Sequence, residues 1–495
     1  MFESAEMGHS IPKAQYEREE PKLREALLKA QYDLKERNRF PAIVLIAGVE
    51  GAGKGETVNL LNEWMDPRHI HTHAFGPPTE EESQHPPMWR FWRALPPKGS
   101  IGIFFGHWYT MPVIDRVMGH TKRAELDRSI EKIERFERML YDEGALILKF
   151  WFHLSKQAQR QRLETLGKDP RTRWRVSPLD WKFFKSYDKF RKVSEYTLRE
   201  TSSAFAPWIV VEGADANYRN LTVGKMLLSA MRDRLDGKQR FSPDDVGPPL
   251  LPPIDNRRLV QSLDLSLALP KKKYEKAMEK YQGQLNLLSR HPQFKQRGVV
   301  AVFEGQDAAG KGGAIRRITG ALDARWYQVV PIAAPTEDEL AQPYLWRFWR
   351  RIPRHGRFTI FDRSWYWRVL VERVEGFAGE FDWMRAYAEI NDFEEDLSEN
   401  GLILCKFWLA ISQDEQLRRF KEREKTGYKR YKITREDWRN RKKWRAYDEA
   451  VSDMVDRTST DIAPWTLVEA NDKYHARIKV LATLCERIET QLSSS

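Results

Sequence analysis

Two lysines close glycine-rich loops at corresponding points of the chain. Gly48-Val-Glu-Gly-Ala-Gly-Lys54-Gly55 recurs 257 residues later as Gly305-Gln-Asp-Ala-Ala-Gly-Lys311-Gly312. The pattern G-x-x-x-x-G-K, set between an apolar run and a helical pattern, suits phosphate. Glycines let backbone N–H groups converge on phosphate oxygens, the helix N-terminus adds positive potential, and the lysine bridges the phosphates. Gly305, Gly310, Gly312 and Lys311 are therefore candidate phosphate ligands. The Ser or Thr that usually follows this lysine and holds Mg²⁺ is Gly55 in one copy and Gly312 in the other, so another oxygen must serve the metal. Asp307 inside the loop and Asp362 at the end of an apolar run are the available carboxylates. Arg363 beside it offers a fixed positive charge to a phosphoryl group in transit, or else a salt bridge to a neighbouring helix. In the first copy these positions are Glu50, Phe105 and Gly106, followed by His107. The loop lysine survives there without the carboxylate–guanidinium pair, so catalysis is expected in the second copy alone.

Residues 413–445 hold fourteen Lys/Arg against six Asp/Glu. Such a run is either a solvated face or a lid that closes cations over phosphates. Arg419 and Arg423 share one face if the segment is helical, with Leu417 and Phe420 on the packing side. The tract is long and strongly positive, which suits an anion longer than a nucleotide. Its counterpart, 156–185, has nine basic and three acidic residues. Trp346-Arg-Phe-Trp-Arg350 and Trp365-Tyr-Trp367 read either as a nucleic-acid platform or as packing beneath the site. Recurrence of the first motif as Trp89-Arg-Phe-Trp-Arg93 favours packing.

Each loop needs a strand before it and a helix after it. Val299–Phe303 reads as a buried strand, and Ala314, Ile315, Ile318 and Leu322 show helical spacing after the loop. Further apolar runs at 358–361, 402–407 and 465–468 alternate with helical stretches such as 383–397; the first copy repeats this at 42–46, 101–105, 145–150 and 208–211. Amphipathic helices are expected at 21–37 and 271–288. This alternation predicts an α/β fold with a parallel sheet covered on both faces in each half. The proline-rich stretch 237–262 is the expected linker, giving domains 1–236 and 263–495.

The net charge of +12 favours polyanions without choosing among them. No apolar run is long enough to span a bilayer, and no secretory signal is recognisable at the start of the sequence. Two cysteines without metal-ligand spacing, Cys405 and Cys485, point to a reducing cytoplasm.

Glu304-Gly-Gln-Asp-Ala-Ala-Gly-Lys-Gly-Gly313, Phe361-Asp-Arg-Ser-Trp-Tyr366, Glu415-Gln-Leu-Arg-Arg-Phe420 and Ala463-Pro-Trp465 closely resemble the polyphosphate kinase 2 family, from about Ser266 to Leu484 and more weakly in the first half. The resemblance implies tandem P-loop kinase-like domains, each with a helical lid over a basic channel. The fused form resembles members that make ADP from AMP and inorganic polyphosphate. It implies that Lys311 contacts phosphates, Asp307 positions the acceptor phosphate and a Mg²⁺, Asp362 is the strand-end acid, and Arg363 is the transition-state cation. Arg419, Lys421 and Arg423 would hold polyphosphate. No catalytic role carries over to Glu50, Phe105 or Gly106.

The expected activity is Mg²⁺-dependent phosphoryl transfer from polyphosphate to AMP. Phosphorylation of nucleoside diphosphates, an ATP-dependent nucleotide kinase and a nucleic-acid-binding ATPase remain as alternatives. Neither nucleic acid nor membrane is an expected partner, and pairing of whole chains into a homo-oligomer is left open.

Overall fold

The computed structural model describes residues 1–237, 259–427, 431 and 433–493. The expected linker 237–262 falls almost wholly outside them. The chain divides into two compact units. The first comprises Met1–Pro78, Arg90–Ser242 and Thr336–Pro343; the second comprises Thr79–Trp89, Pro243–Pro335 and Tyr344–Ser495.

The first unit is built on five parallel strands, β1 (Ala42–Gly48), β2 (Ile70–Ala74), β3 (Ile101–Phe105), β4 (Leu146–His153) and β5 (Trp208–Glu212), in the order β2-β3-β1-β4-β5. The second repeats it with β6 (Gly298–Gly305), β7 (Tyr327–Pro331), β8 (Phe358–Asp362), β9 (Leu402–Ala410) and β10 (Trp465–Glu469), ordered β7-β8-β6-β9-β10. Every residue of β4 and β9 is buried, which is why these strands read as apolar runs, interrupted mainly by the buried lysines Lys149 and Lys406. The edge strands β2 and β7 escaped the sequence reading. His-Thr-His in one and a terminal proline in the other are the marks of a partly solvated edge.

The helix Lys13–Arg37 starts a full two turns before the expected position and carries Pro21 inside it. Its counterpart is Lys271–Ser289. The basic tract forms helices Gln413–Lys425, Arg435–Lys442 and Trp444–Thr458. Among the described residues, no helix is long and apolar enough to cross a membrane.

Beneath each site lies the same buried ion pair. Lys406 Nζ donates to Glu394 at 2.6 Å, and Tyr366 Oη and Trp365 Nε1 donate to the same carboxylate at 2.6 and 3.0 Å. In the first unit Lys149 meets Glu137 at 2.7 Å, and Trp108 joins it at 2.9 Å. The duplicated Trp-Tyr is thus part of the packing. Phe348 and Trp349 of the Trp346–Arg350 motif are likewise buried, and Arg347 donates to the Ala333 carbonyl at 2.9 Å.

Candidate phosphoryl-transfer site

In the second unit, parallel pairing brings the carboxyl ends of β6, β8 and β9 to one edge. This edge is where open α/β sheets place their ligands. Gly305 ends β6 at φ 142°, and a Cβ there would lie 2.4 Å from the Leu409 carbonyl, so only glycine lets the loop leave the sheet. The chain then turns through Ala308 (φ 65°) and Gly310 (φ 111°) into the helix Lys311–Thr319. Lys311 is folded back on its own loop, donating to the Gly305 carbonyl at 2.7 Å and to Gln306 at 3.3 Å. Burial, and then the charge of Arg363, hold its ammonium below the usual lysine range.

Arg363 follows β8 in the left-handed region, φ 67°, a conformation that costs a side-chain-bearing residue about 1 kcal/mol or more. There its guanidinium donates to Asp307 at 3.2 Å and lies 4.9 Å from the Trp367 ring centroid. Burial works against that charge, but Asp307, Glu304, Glu436 and Asp362 together outweigh it and raise the Arg363 pKa. The other oxygen of Asp307 accepts from Asn440 at 2.9 Å, and its backbone carbonyl accepts from Gln416 at 3.1 Å. The loop carboxylate is thus held from the strand end and from two helices of the basic tract.

Asp307, Lys311, Asp362, Arg363, Arg419 and Arg423 line one cavity of about 760 Å³ with Gly310 and Gly312. Gly305 stands just behind it, at the start of the loop. Asp307 and Asp362 are the kind of donor that Mg²⁺ takes, one or two carboxylates with the rest of its shell from phosphate oxygens and water.

Two of the three polyphosphate candidates stand differently from expectation. Arg419 is buried, and all five of its N–H groups are used inside the fold. It binds Glu415, the Ala308 and Ala309 carbonyls (both 2.9 Å), and those of Ala470 (2.7 Å) and Asn471 (2.9 Å). It shapes the loop from behind. Lys421 is exposed and, two residues from each arginine, belongs to the opposite helix face, outside the cavity lining.

The sequence reading missed Arg316, Lys473 and Arg477, which also line the cavity, and Asn440, which holds Asp307. Lys473 is pushed down by burial and by Arg419, as expected where cations converge. A signal did exist. At the 257-residue offset, Arg316, Arg423, Lys473 and Arg477 face Asn59, Leu166, Ala216 and Asn220.

The first unit keeps the loop but fills its surroundings. Lys54 donates to the Gly48 carbonyl at 2.7 Å and to Glu50 at 3.0 Å. Glu56, where the second copy has Gly313, sits in the first turn of the helix Lys54–Trp64. Arg162, Arg175 and Arg219 reach its carboxylate at 3.1, 3.1 and 3.0 Å. Arg219 presses so closely on the loop that a Cβ on Gly53 would meet its guanidinium at 2.1 Å.

The polyphosphate kinase 2 family model matches this chain twice, over residues 10–239 and 268–495. A polyphosphate:AMP phosphotransferase from Pseudomonas aeruginosa is 62% identical over 489 residues, covering 99% of each chain. One from Acinetobacter johnsonii is 39% identical over 474 residues, covering 94% of this chain and 95% of its own. A crystal structure described as a polyphosphate kinase 2 from Pseudomonas aeruginosa PA01 superposes with a TM-score of 0.91 at 59% identity, over the whole of both chains. The chain belongs to the polyphosphate kinase 2 family.

Proposed function

We propose that this protein transfers the terminal phosphoryl group of inorganic polyphosphate to AMP, giving ADP, and that it does so in the second unit. The observation that carries this reading is the asymmetry of the two loops. Only the second has Asp307, Asp362 and Arg363 beside its lysine, under a cavity lined by Arg316, Arg423, Lys473 and Arg477, with Gly313 where the first has Glu56. Full-length relatives named polyphosphate:AMP phosphotransferases support the choice of donor and acceptor.

An AMP phosphate oxygen attacks the terminal phosphorus of the chain, and the bond from that phosphorus to the bridging oxygen breaks. The shortened polyphosphate leaves as an anion. No strong base is required, because a phosphate with a second pKa near about 6 is largely dianionic at neutral pH. The difficulty is bringing two anions together. Loop amides and Lys311 orient phosphate oxygens, Arg363 neutralises charge on the group in transit, and Arg423 with Arg316, Lys473 and Arg477 holds the donor. Arg419 acts through the loop it braces. Asp307 and Asp362 would hold Mg²⁺, which supplies further charge neutralisation when bound.

Crossing polyphosphate and ATP with AMP, GMP and ADP on purified protein, and separating products by chromatography, tests the proposal. ADP formed from polyphosphate and AMP is the expected result. Turnover with ATP and not with polyphosphate would overturn the donor assignment.

A further inference from the structure

The first unit keeps its phosphate loop and has a larger cavity beside it. Behind its loop lies a space of about 460 Å³ whose walls include Phe75, Phe105, Trp151, Phe183, Phe190 and Trp208. The corresponding space in the second unit is about 70 Å³. Three replacements by smaller residues account for the opening, and a fourth makes the wall apolar. Ala47 stands for Glu304, Gly106 for Arg363 and Thr110 for Trp367, each removing bulk, and Phe183 for Asn440 removes a polar group. The volume lies within the range of small-molecule sites, and the lining is mainly apolar, with aromatic rings prominent in it.

One polar atom in this wall lacks the partner its counterpart has. Gln159 is buried, and its Nε2 donates to the Glu50 carbonyl at 3.0 Å, but its Oε1 has no hydrogen-bond partner among the described residues. In the second unit Gln416 Oε1 accepts from Arg441 at 3.2 Å. That arginine is Phe184 here. Trp151 Nε1 is also unpartnered, as is its counterpart Trp408 Nε1. A buried amide oxygen left without a donor is costly, and an N–H from a ligand would relieve it.

Charge narrows the ligand class. The lining carries one lysine and one carboxylate, Lys54 and Glu50, paired with each other at 3.0 Å, and the arginines gathered on Glu56 lie outside it, so the cavity offers no unpaired cation to a phosphate. We propose that this cavity binds an uncharged, flat heteroaromatic molecule of nucleobase or nucleoside size, stacked among the rings and donating an N–H to Gln159 Oε1. This site is separate from the one in the second unit and does not depend on that site's assignment.

Calorimetric titration of the full chain with adenosine, without polyphosphate, tests it. One saturable event is expected. Thr110→Trp, which restores the bulk of the second copy, and Gln159→Leu should each weaken it by about tenfold or more, with melting temperature checking the fold. Should Thr110→Trp fail to fold, Gln159→Leu decides. Arg363→Gln should leave adenosine binding intact, and in that background AMP should bind less tightly than adenosine. The proposal is overturned by absence of saturable binding, by binding that survives Gln159→Leu, by loss with Arg363→Gln, or by AMP binding as tightly as adenosine.

Discussion

The two halves share strand order, register and loop geometry, yet they satisfy their cations in opposite ways. In the first, Glu56 draws Arg162, Arg175 and Arg219 together at the mouth of the loop. In the second, glycine replaces that carboxylate, and Arg316, Arg423, Lys473 and Arg477 stand around a cavity. A phosphate-binding loop can therefore persist as backbone architecture after its electrostatics have been closed from within. The glycines report the fold, while the residues one turn further along report whether an anion is wanted.

The sharpest way to break this contrast is to exchange the loop acids. Asp307→Asn should lower ADP formation by about 10²–10³-fold or more, whereas Glu50→Gln should stay within about twofold. Equal losses would end the asymmetry. Next comes Arg419→Met, which leaves four carbonyls without the arginine donor, while Glu415 keeps Arg418. It should destabilise the second unit by about 2–3 kcal/mol in urea unfolding, with activity falling alongside.

His107 carries the comparison into pH. Its second-unit counterpart is Ser364, whereas burial pushes the His107 imidazole down from 6.5 to about 3. Below pH 6.5 the unfolded chain takes up this proton and the folded chain does not, so stability falls as pH drops and levels off only near 3. Between pH 7 and 5 this residue should account for about 2 kcal/mol, and His107→Gln should remove that share of the loss in denaturation at the two pH values. Smallest are the changes in the basic helix. Arg423→Ala should raise the polyphosphate KM about fivefold to tenfold with melting unchanged, and Lys421→Ala should shift it less than about twofold. A larger effect at Lys421 would move the donor path to the opposite helix face.

Much of this was legible in the residues, because glycine spacing and buried apolar runs are strong local signals. The central strands, the loops and the Asp307–Asp362–Arg363 grouping all follow from them. Legibility failed where an effect depends on a partner far along the chain. Nothing near Arg419 says that its donors meet carbonyls of the loop and of the segment after β10. The strands Ile70–Ala74 and Tyr327–Pro331 carry too little apolar alternation to be read as a sheet edge. The left-handed backbone at Arg363 was visible only through its repeat. Gly106 occupies the same conformation at φ 75°, and a Cβ there would meet the Phe75 carbonyl at 2.3 Å. Arginine could not simply be restored at that position.

The carboxylate of Glu56 has a thermodynamic consequence. A loop whose mouth already holds a carboxylate of the chain has little to gain from a visiting anion, while a cavity lined by four cations is relieved when an anion arrives. Polyphosphate should therefore raise the unfolding temperature of the second unit and leave that of the first in place. One polypeptide would carry both a donor-responsive transition and its own internal reference.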